Sequence, residues 1–316
     1  MIELVESIAA LPEIWPTSGT VSDDNSAVIG HNYEMYIYQG SNNHRDAYFI
    51  ETQNEVLGKW IELIETRHQR YSSQSVKVLS LVVPNKATCM PWDFPEPLPR
   101  CGSSLFRSLK SRFLNDPRVL FPFEKMNLPD SLMSGAWNRT DTHWSQSGCL
   151  LAVNEILQSL DLPLMDMAIE MRQSAFYGDL ADKWGEISIC EMRKDLCCPD
   201  LISITPKLEF DNCKDLSGHF GRHVRWVNKF AKHDLIVTIV GGSSSGTGHS
   251  KRELTWWLAR QFSEVNFIHM PNCPIDVVNV TACDILVIQT VERFLYLAPD
   301  DNLSYSELIE LARKSQ

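Results

Sequence analysis

Apolar residues recur along the chain in two rhythms, and the change from one to the other marks out its elements. Short, β-branched and nearly unbroken runs fall at 76–83 (VKVLSLVV), 235–240, 265–268 and 285–288, which predicts strands buried on both faces. Residues 31–38 alternate polar and apolar before Gly40-Ser-Asn-Asn, which predicts a strand and a turn. Phe49, Val56, Trp60, Leu63 and Ile64 keep helical spacing within 47–70, as do Leu150, Leu151, Val153, Ile156 and Leu157 within 145–160. Further helices are predicted over 103–113, 251–262 and 305–314, and a short strand over 118–121. Proline-rich 91–99 reads as loop, and 163–215 as an irregular insertion. Strands alternating with helices imply a parallel sheet covered on both faces. The expectation is an irregular segment over 1–26 and one α/β domain over 27–316.

Composition narrows the function classes. The chain has 316 residues, 44% hydrophobic and 22% charged, ordinary for a globular protein and long enough for a large core. A net charge of −11 disfavours nucleic acid and anionic membrane surfaces as partners. No run approaches the ~18 apolar residues of a spanning helix, so no integral membrane segment is expected. Acids near the N-terminus stand where a signal peptide carries bases. The sequence as given therefore reads as cytoplasmic, or periplasmic if a leader has been removed. Its nine cysteines are odd in number and lack CxxC spacing, so buried free thiols are expected. A metal site at the loose cluster Cys190, Cys197, Cys198 and Cys213 is the alternative, and no metal is assigned.

Chemistry concentrates in two places. Val237-Thr-Ile-Val-Gly-Gly-Ser243-Ser-Ser-Gly-Thr-Gly248 reads as a strand breaking into a tight turn before a helix. Such a turn exposes a serine at the carboxyl edge of a sheet, and its glycines let backbone N–H groups converge for an oxyanion. Many Gly/Ser turns are only turns, so a base is needed. Trp137-Asn-Arg-Thr-Asp141-Thr-His143-Trp144 supplies one: residues two apart can point the same way, with the carboxylate orienting the imidazole. The same spacing also suits Asp141 as the cap of the following helix and His143 as a surface residue.

Thr140-Asp-Thr-His-Trp-Ser-Gln-Ser-Gly148 resembles the DTHW(N/S)xxG signature of the alginate O-acetyltransferase (AlgX/AlgJ) family. Val28-Ile-Gly-His-Asn-Tyr-Glu-Met-Tyr-Ile-Tyr38, Val82-Val-Pro-Asn-Lys86-Ala-Thr, Gly178-Asp179-Leu180, Gly241-Gly-Ser243-Ser and the stretch from Asp284 to Leu295 resemble further family segments, in the family's order. The resemblance spans about 27–298. It implies an SGNH-hydrolase-like three-layer α/β sandwich with a central, mostly parallel sheet. It also implies Ser243 as nucleophile, His143 as general base and Asp141 as its orienter. Gly242 stands where the family has an aspartate and Ser244 where it has an aromatic, both beside the nucleophile.

The activity implied is transfer of an acetyl group through acetyl-serine onto a carbohydrate hydroxyl. It needs no bound cofactor, but it does need an acetyl donor, either a small molecule or a donor protein. The alternatives are an acetyl esterase with the same triad and a glycan-binding protein with a vestigial one. Gly242, Ser244, Arg293, Lys86 and Trp144 are candidates for the oxyanion and substrate contacts. Lys86 reads equally as an ion pair holding its loop, and Arg293 as a partner of Glu292. His249 lines the site, caps or faces solvent, and Asp179 fixes a turn. Tryptophans 92, 137, 144, 184, 226, 256 and 257 form either a sugar-stacking surface or core.

Overall fold

The computed structural model describes residues 15–39, 44–50, 54–127, 135–165, 170–185, 189–197, 199–216 and 218–314. Residues 1–14 of the expected irregular segment, the turn at 40–43 and Cys198 lie outside them. The apolar runs become strands of one sheet because each is buried on both faces. In chain order the strands are β1 (Ala27–Ile29), β2 (Met35–Ile37), β3 (Lys77–Val83), β4 (Val119–Leu120), β5 (Glu170–Phe176), β6 (Glu191–Cys197), β7 (Lys207–Asp211), β8 (His223–Val227), β9 (His233–Gly241), β10 (Phe262–His269) and β11 (Ile285–Val291). Seven of them form the central sheet in the order β4-β3-β11-β9-β10-β8-β7. Pairing is parallel from β4 through β10 and antiparallel at β10–β8 and β8–β7.

The helices are α1 (Asn54–Ser72), α2 (Lys86–Cys89), α3 (Ser104–Arg112), α4 (Phe123–Met126), α5 (Gln146–Ser159), α6 (Pro199–Ser203), α7 (Leu254–Leu258), α8 (Val277–Thr281) and α9 (Tyr305–Lys314). Successive side chains of β9 and β11 alternate between the sheet's two faces. Val237, Ile239, Ile285 and Val287 pack into a core with Phe106 of α3, Val153 and Ile156 of α5 and Trp257 of α7. Val240, Leu286 and Ile288 join a second core with Val277 of α8 and Leu308 of α9. The result is the three-layer α/β sandwich.

Several expectations are corrected. The alternating stretch 31–38 contributes only β2, which pairs with β1 in an antiparallel hairpin. Residues 163–215 are less irregular than expected, since β5 and β6 form a second hairpin and β7 joins the main sheet. The helix expected over 251–262 is confined to α7 because Phe262 already pairs with His233 in the sheet. Backbone pairing there outweighs the helical spacing of its apolar residues.

Candidate active site

The turn after β9 is shaped by a side chain from the neighbouring strand. Gln289 of β11 accepts through Oε1 from the Gly242 N–H (2.9 Å) and the Ser245 hydroxyl (3.1 Å). A Cβ at Gly241 would lie 2.6 Å from that oxygen, so only glycine lets the two strands' ends approach this closely. The Ser245 N–H closes the turn on the Gly242 carbonyl at 3.0 Å. This leaves Ser243 exposed, while Ser244 is buried. Among the described residues, the N–H groups of Ser243 and Ser244 have no hydrogen-bond partner. The Gly242 N–H, by contrast, is committed to Gln289, which removes it as an oxyanion donor.

The expected base is held by three elements at once. Ser145, not Asp141, caps α5, accepting from the Gly148 N–H at 3.1 Å. Buried Glu191 of β6 accepts from the N–H groups of Arg139 (2.8 Å) and Thr140 (2.9 Å) and from the Thr140 hydroxyl (2.8 Å). Asp141 is thereby free to face His143. Its Oδ1 lies 2.7 Å from His143 Nδ1 and accepts from the His143 N–H at 2.7 Å. On the far side of the ring, His143 Nε2 lies 2.7 Å from Ser243 Oγ. The three side chains that the sequence places on two separate segments are brought into one hydrogen-bonded line.

Two further groups, which the sequence did not single out for this place, flank the Asp141–His143 pair. Arg252 donates to the outer oxygen of Asp141 at 2.7 Å. Its loop is held by Glu253, whose Oε2 accepts from the N–H groups of Gly248 (2.7 Å), His249 (2.8 Å) and Ser250 (3.2 Å). Asp179, expected only to fix a turn, lies 3.4 Å from His143 Nδ1. Burial works against a charged ring, but hydrogen bonds to Asp141 and Asp179 outweigh it and raise the His143 pKa to about 9. The Asp179 side chain is 40% exposed, so desolvation opposes its ionisation only in part, and hydrogen bonds from His143 and Thr142 hold that carboxyl well below the usual range. The donor atoms of Asp141, His143 and Asp179 lie within 4.8 Å of one another, a spacing that also suits a small cation. The Arg252 guanidinium already supplies a positive charge to Asp141, which works against a further cation there.

The remaining candidates divide sharply. Lys86 is buried, with its ammonium 2.7 Å from Glu34 and donating to the carbonyls of Met35 (3.0 Å), Asn138 (2.7 Å) and Arg139 (2.8 Å). It ties the β3 edge to the 138–139 loop and has no proton left for a substrate. Trp144 is fully buried, and its indole N–H donates to the Arg252 carbonyl at 2.7 Å, so it packs in the core beside His143 with no face open to solvent. Glu292 is buried and accepts from the N–H groups of Asn85 (2.9 Å) and Ser103 (2.8 Å) and from the Thr88 hydroxyl (2.6 Å). It is not paired with Arg293.

Arg293 lines a narrow cleft with His44, Asn85 and Thr142 beside the base. Burial lowers its pKa, against the pull of Asp179 and Asp141. His249 is exposed and lies edge-on to Trp226, with ring centroids 5.2 Å apart. Of the seven tryptophans named, 137, 144, 184, 256 and 257 are buried and Trp92 is exposed, so most are core. Among the described cysteines, Cys190, Cys197 and Cys213 are free and do not assemble a set of metal-ligating groups.

Known structures share this architecture over nearly the whole chain. PatB1 of Bacillus cereus, in a structure with a sulfonyl adduct, superposes with a TM-score of 0.60 at 13% identity, over 90% of this chain and 97% of that one. The O-acetyltransferase domain of Pseudomonas putida AlgJ gives 0.55 at 15% identity, over 92% and 99%. The chain has their fold. A DHHW-family protein from Eubacterium siraeum matches similarly, with a TM-score of 0.56 at 11% identity, over 90% and 98%. No protein-family model and no curated protein sequence matches the chain. Among the described residues, no helix is long and apolar enough to cross a membrane.

Proposed function

We propose that the chain is a serine-dependent O-acetyltransferase that carries an acetyl group through acetyl-serine to a carbohydrate hydroxyl. The observation that carries this reading is the placement of His143 between Asp141 and an exposed Ser243, at 2.7 Å from each. His143 Nε2 takes the Ser243 proton as the oxygen attacks the donor's acetyl carbonyl. The unbonded N–H groups of Ser243 and Ser244 suit the resulting oxyanion. Collapse expels the donor's leaving group, which receives the proton from His143. An acceptor hydroxyl then gives its own proton to His143 and attacks the acetyl-serine, and Ser243 recovers its proton. The fold shared with an O-acetyltransferase domain is consistent with acetyl transfer, and the resemblance of 140–148 to the alginate O-acetyltransferase signature points to a sugar acceptor.

The exposure of Ser243 favours a second reading, hydrolysis of the same intermediate by water. The test is to incubate the protein with p-nitrophenyl acetate, quench in acid and measure intact mass. Addition of one acetyl group, mapped to Ser243 and absent in Ser243→Ala, is the expected result; undiminished acetylation of Ser243→Ala would overturn it. Acetate release with and without oligosaccharide acceptors separates transferase from esterase.

A further inference from the structure

His143 Nδ1 faces two carboxylates, and they differ in how far their charge is cancelled. Asp141 Oδ1 is shared between the ring and the His143 backbone N–H, and Oδ2 is bound to the Arg252 guanidinium at 2.7 Å. That cation offsets part of the Asp141 charge, although Asp141 remains the stronger of the two carboxylates acting on the ring. Asp179 receives the Thr142 N–H at 2.7 Å and the Thr142 hydroxyl, both neutral donors. Among the described residues its ion-pair partner is His143 itself, at 3.4 Å.

The approach of Asp179 is built into the fold. A Cβ at Gly178 would lie 2.0 Å from the Thr140 carbonyl, so glycine lets the 178–180 turn press against the loop that carries the base. The Gly178 N–H donates to the Thr140 hydroxyl at 2.9 Å and the Leu180 N–H to the Thr140 carbonyl at 3.0 Å, fixing the two segments together.

We propose, building on the acyl-transfer reading above, that Asp179 is a second positioning carboxylate of the base. Asp141 fixes the tautomer and tilt of the imidazole, and Asp179, which has no directly paired arginine or lysine among the described residues, adds a second negative charge that stabilises the ring once it has taken the Ser243 proton. The other charged groups around the ring are accounted for. Arg252 is bound to Asp141, Lys86 to Glu34, and Glu191 to the 139–140 backbone. Arg139 lies 3.6 Å from Glu34. Arg293 acts on both carboxylates through space without pairing with either.

The test is kcat/KM for p-nitrophenyl acetate against pH in wild type and Asp179→Asn, with acetyl-serine followed by intact mass. Asparagine keeps an oxygen for the Thr142 N–H and removes the charge. The rising limb of the profile should move down by about one pH unit, tenfold in proton affinity. Above the limb kcat should fall about tenfold, with KM unchanged. Should Asp179→Asn not fold, Thr142→Val removes the hydroxyl that holds Asp179 and should move the limb in the same direction. Limbs that coincide with wild type while acetyl-serine still forms would overturn the proposal. An absence of acetyl-serine in wild type would instead overturn the acyl-transfer reading. NMR titration of the His143 ring with and without Asp179→Asn then decides the carboxylate's effect independently of turnover: an unshifted ring overturns it.

Discussion

Arg252 reaches across from the loop before α7 to donate to Asp141 Oδ2 at 2.7 Å, locking the orienting carboxylate from behind. The contact joins residues 111 positions apart and leaves the Asp141 side chain only 3% exposed. Replacing Arg252 with methionine strips a buried carboxylate of its cation. The expected cost is about 2 kcal/mol of stability. Acetylation of Ser243 should slow about tenfold, a fraction of the ~10² to 10⁴ that a positioned base contributes. Urea denaturation and burst kinetics with p-nitrophenyl acetate check the two figures separately.

A His143 pKa of about 9 makes the base scarce at neutral pH. Two units below its pKa, about one ring in a hundred is neutral and able to accept the Ser243 proton. Acetyl-serine formation should therefore rise close to tenfold per pH unit from about pH 7 and level off near pH 9. A flat profile over that range would contradict the assignment of His143 as base.

The same shift has a stability consequence of opposite sense. The folded-state pKa lies above the ordinary value of 6.5, so the protonated ring adds stability that is fully present below about 6.5 and lost as pH rises through about 9. The Tm difference between wild type and His143→Gln should shrink steadily over that window in differential scanning calorimetry.

Lys86 should behave as a structural residue. Lys86→Met leaves the Glu34 carboxylate and the carbonyls of Met35, Asn138 and Arg139 without their shared ammonium. A loss of about 3 kcal/mol is expected. Among the molecules that remain folded, KM for p-nitrophenyl acetate should stay unchanged. A selective rise in KM without loss of stability would instead return Lys86 to the substrate.

Gly178→Ala probes the seam between the 178–180 turn and the loop that carries the base. The added methyl would overlap the Thr140 carbonyl at 2.0 Å, so the turn must back away, at about 1–3 kcal/mol. Asp179 moves with it. Activity and the pH limb should both shift toward those of Asp179→Asn, which a combined melt and pH profile reads directly.

By itself the sequence determined the buried central strands and the place where chemistry gathers. Runs such as 76–83 and 235–240 are legible because a strand covered on both faces is apolar at every position, a signal carried within a few residues. The Asp141–His143 pair is legible for the same reason, since two residues of separation suffice to aim both side chains. Tertiary structure alone decided which groups surround the pair. Asp179 is 36 residues from His143 by their numbering, Arg252 is 111 from Asp141, and Gln289 is 47 from the Gly242 it anchors. Nothing in a local pattern distinguishes a carboxylate that fixes a turn from one pressed against an imidazole. That distinction comes from strand order, which sets β9 beside β11, and from close approaches such as Gly178 on Thr140. The short α7 has the same origin, because its apolar spacing suits a longer helix until β10 pairs with β9 from Phe262 onward.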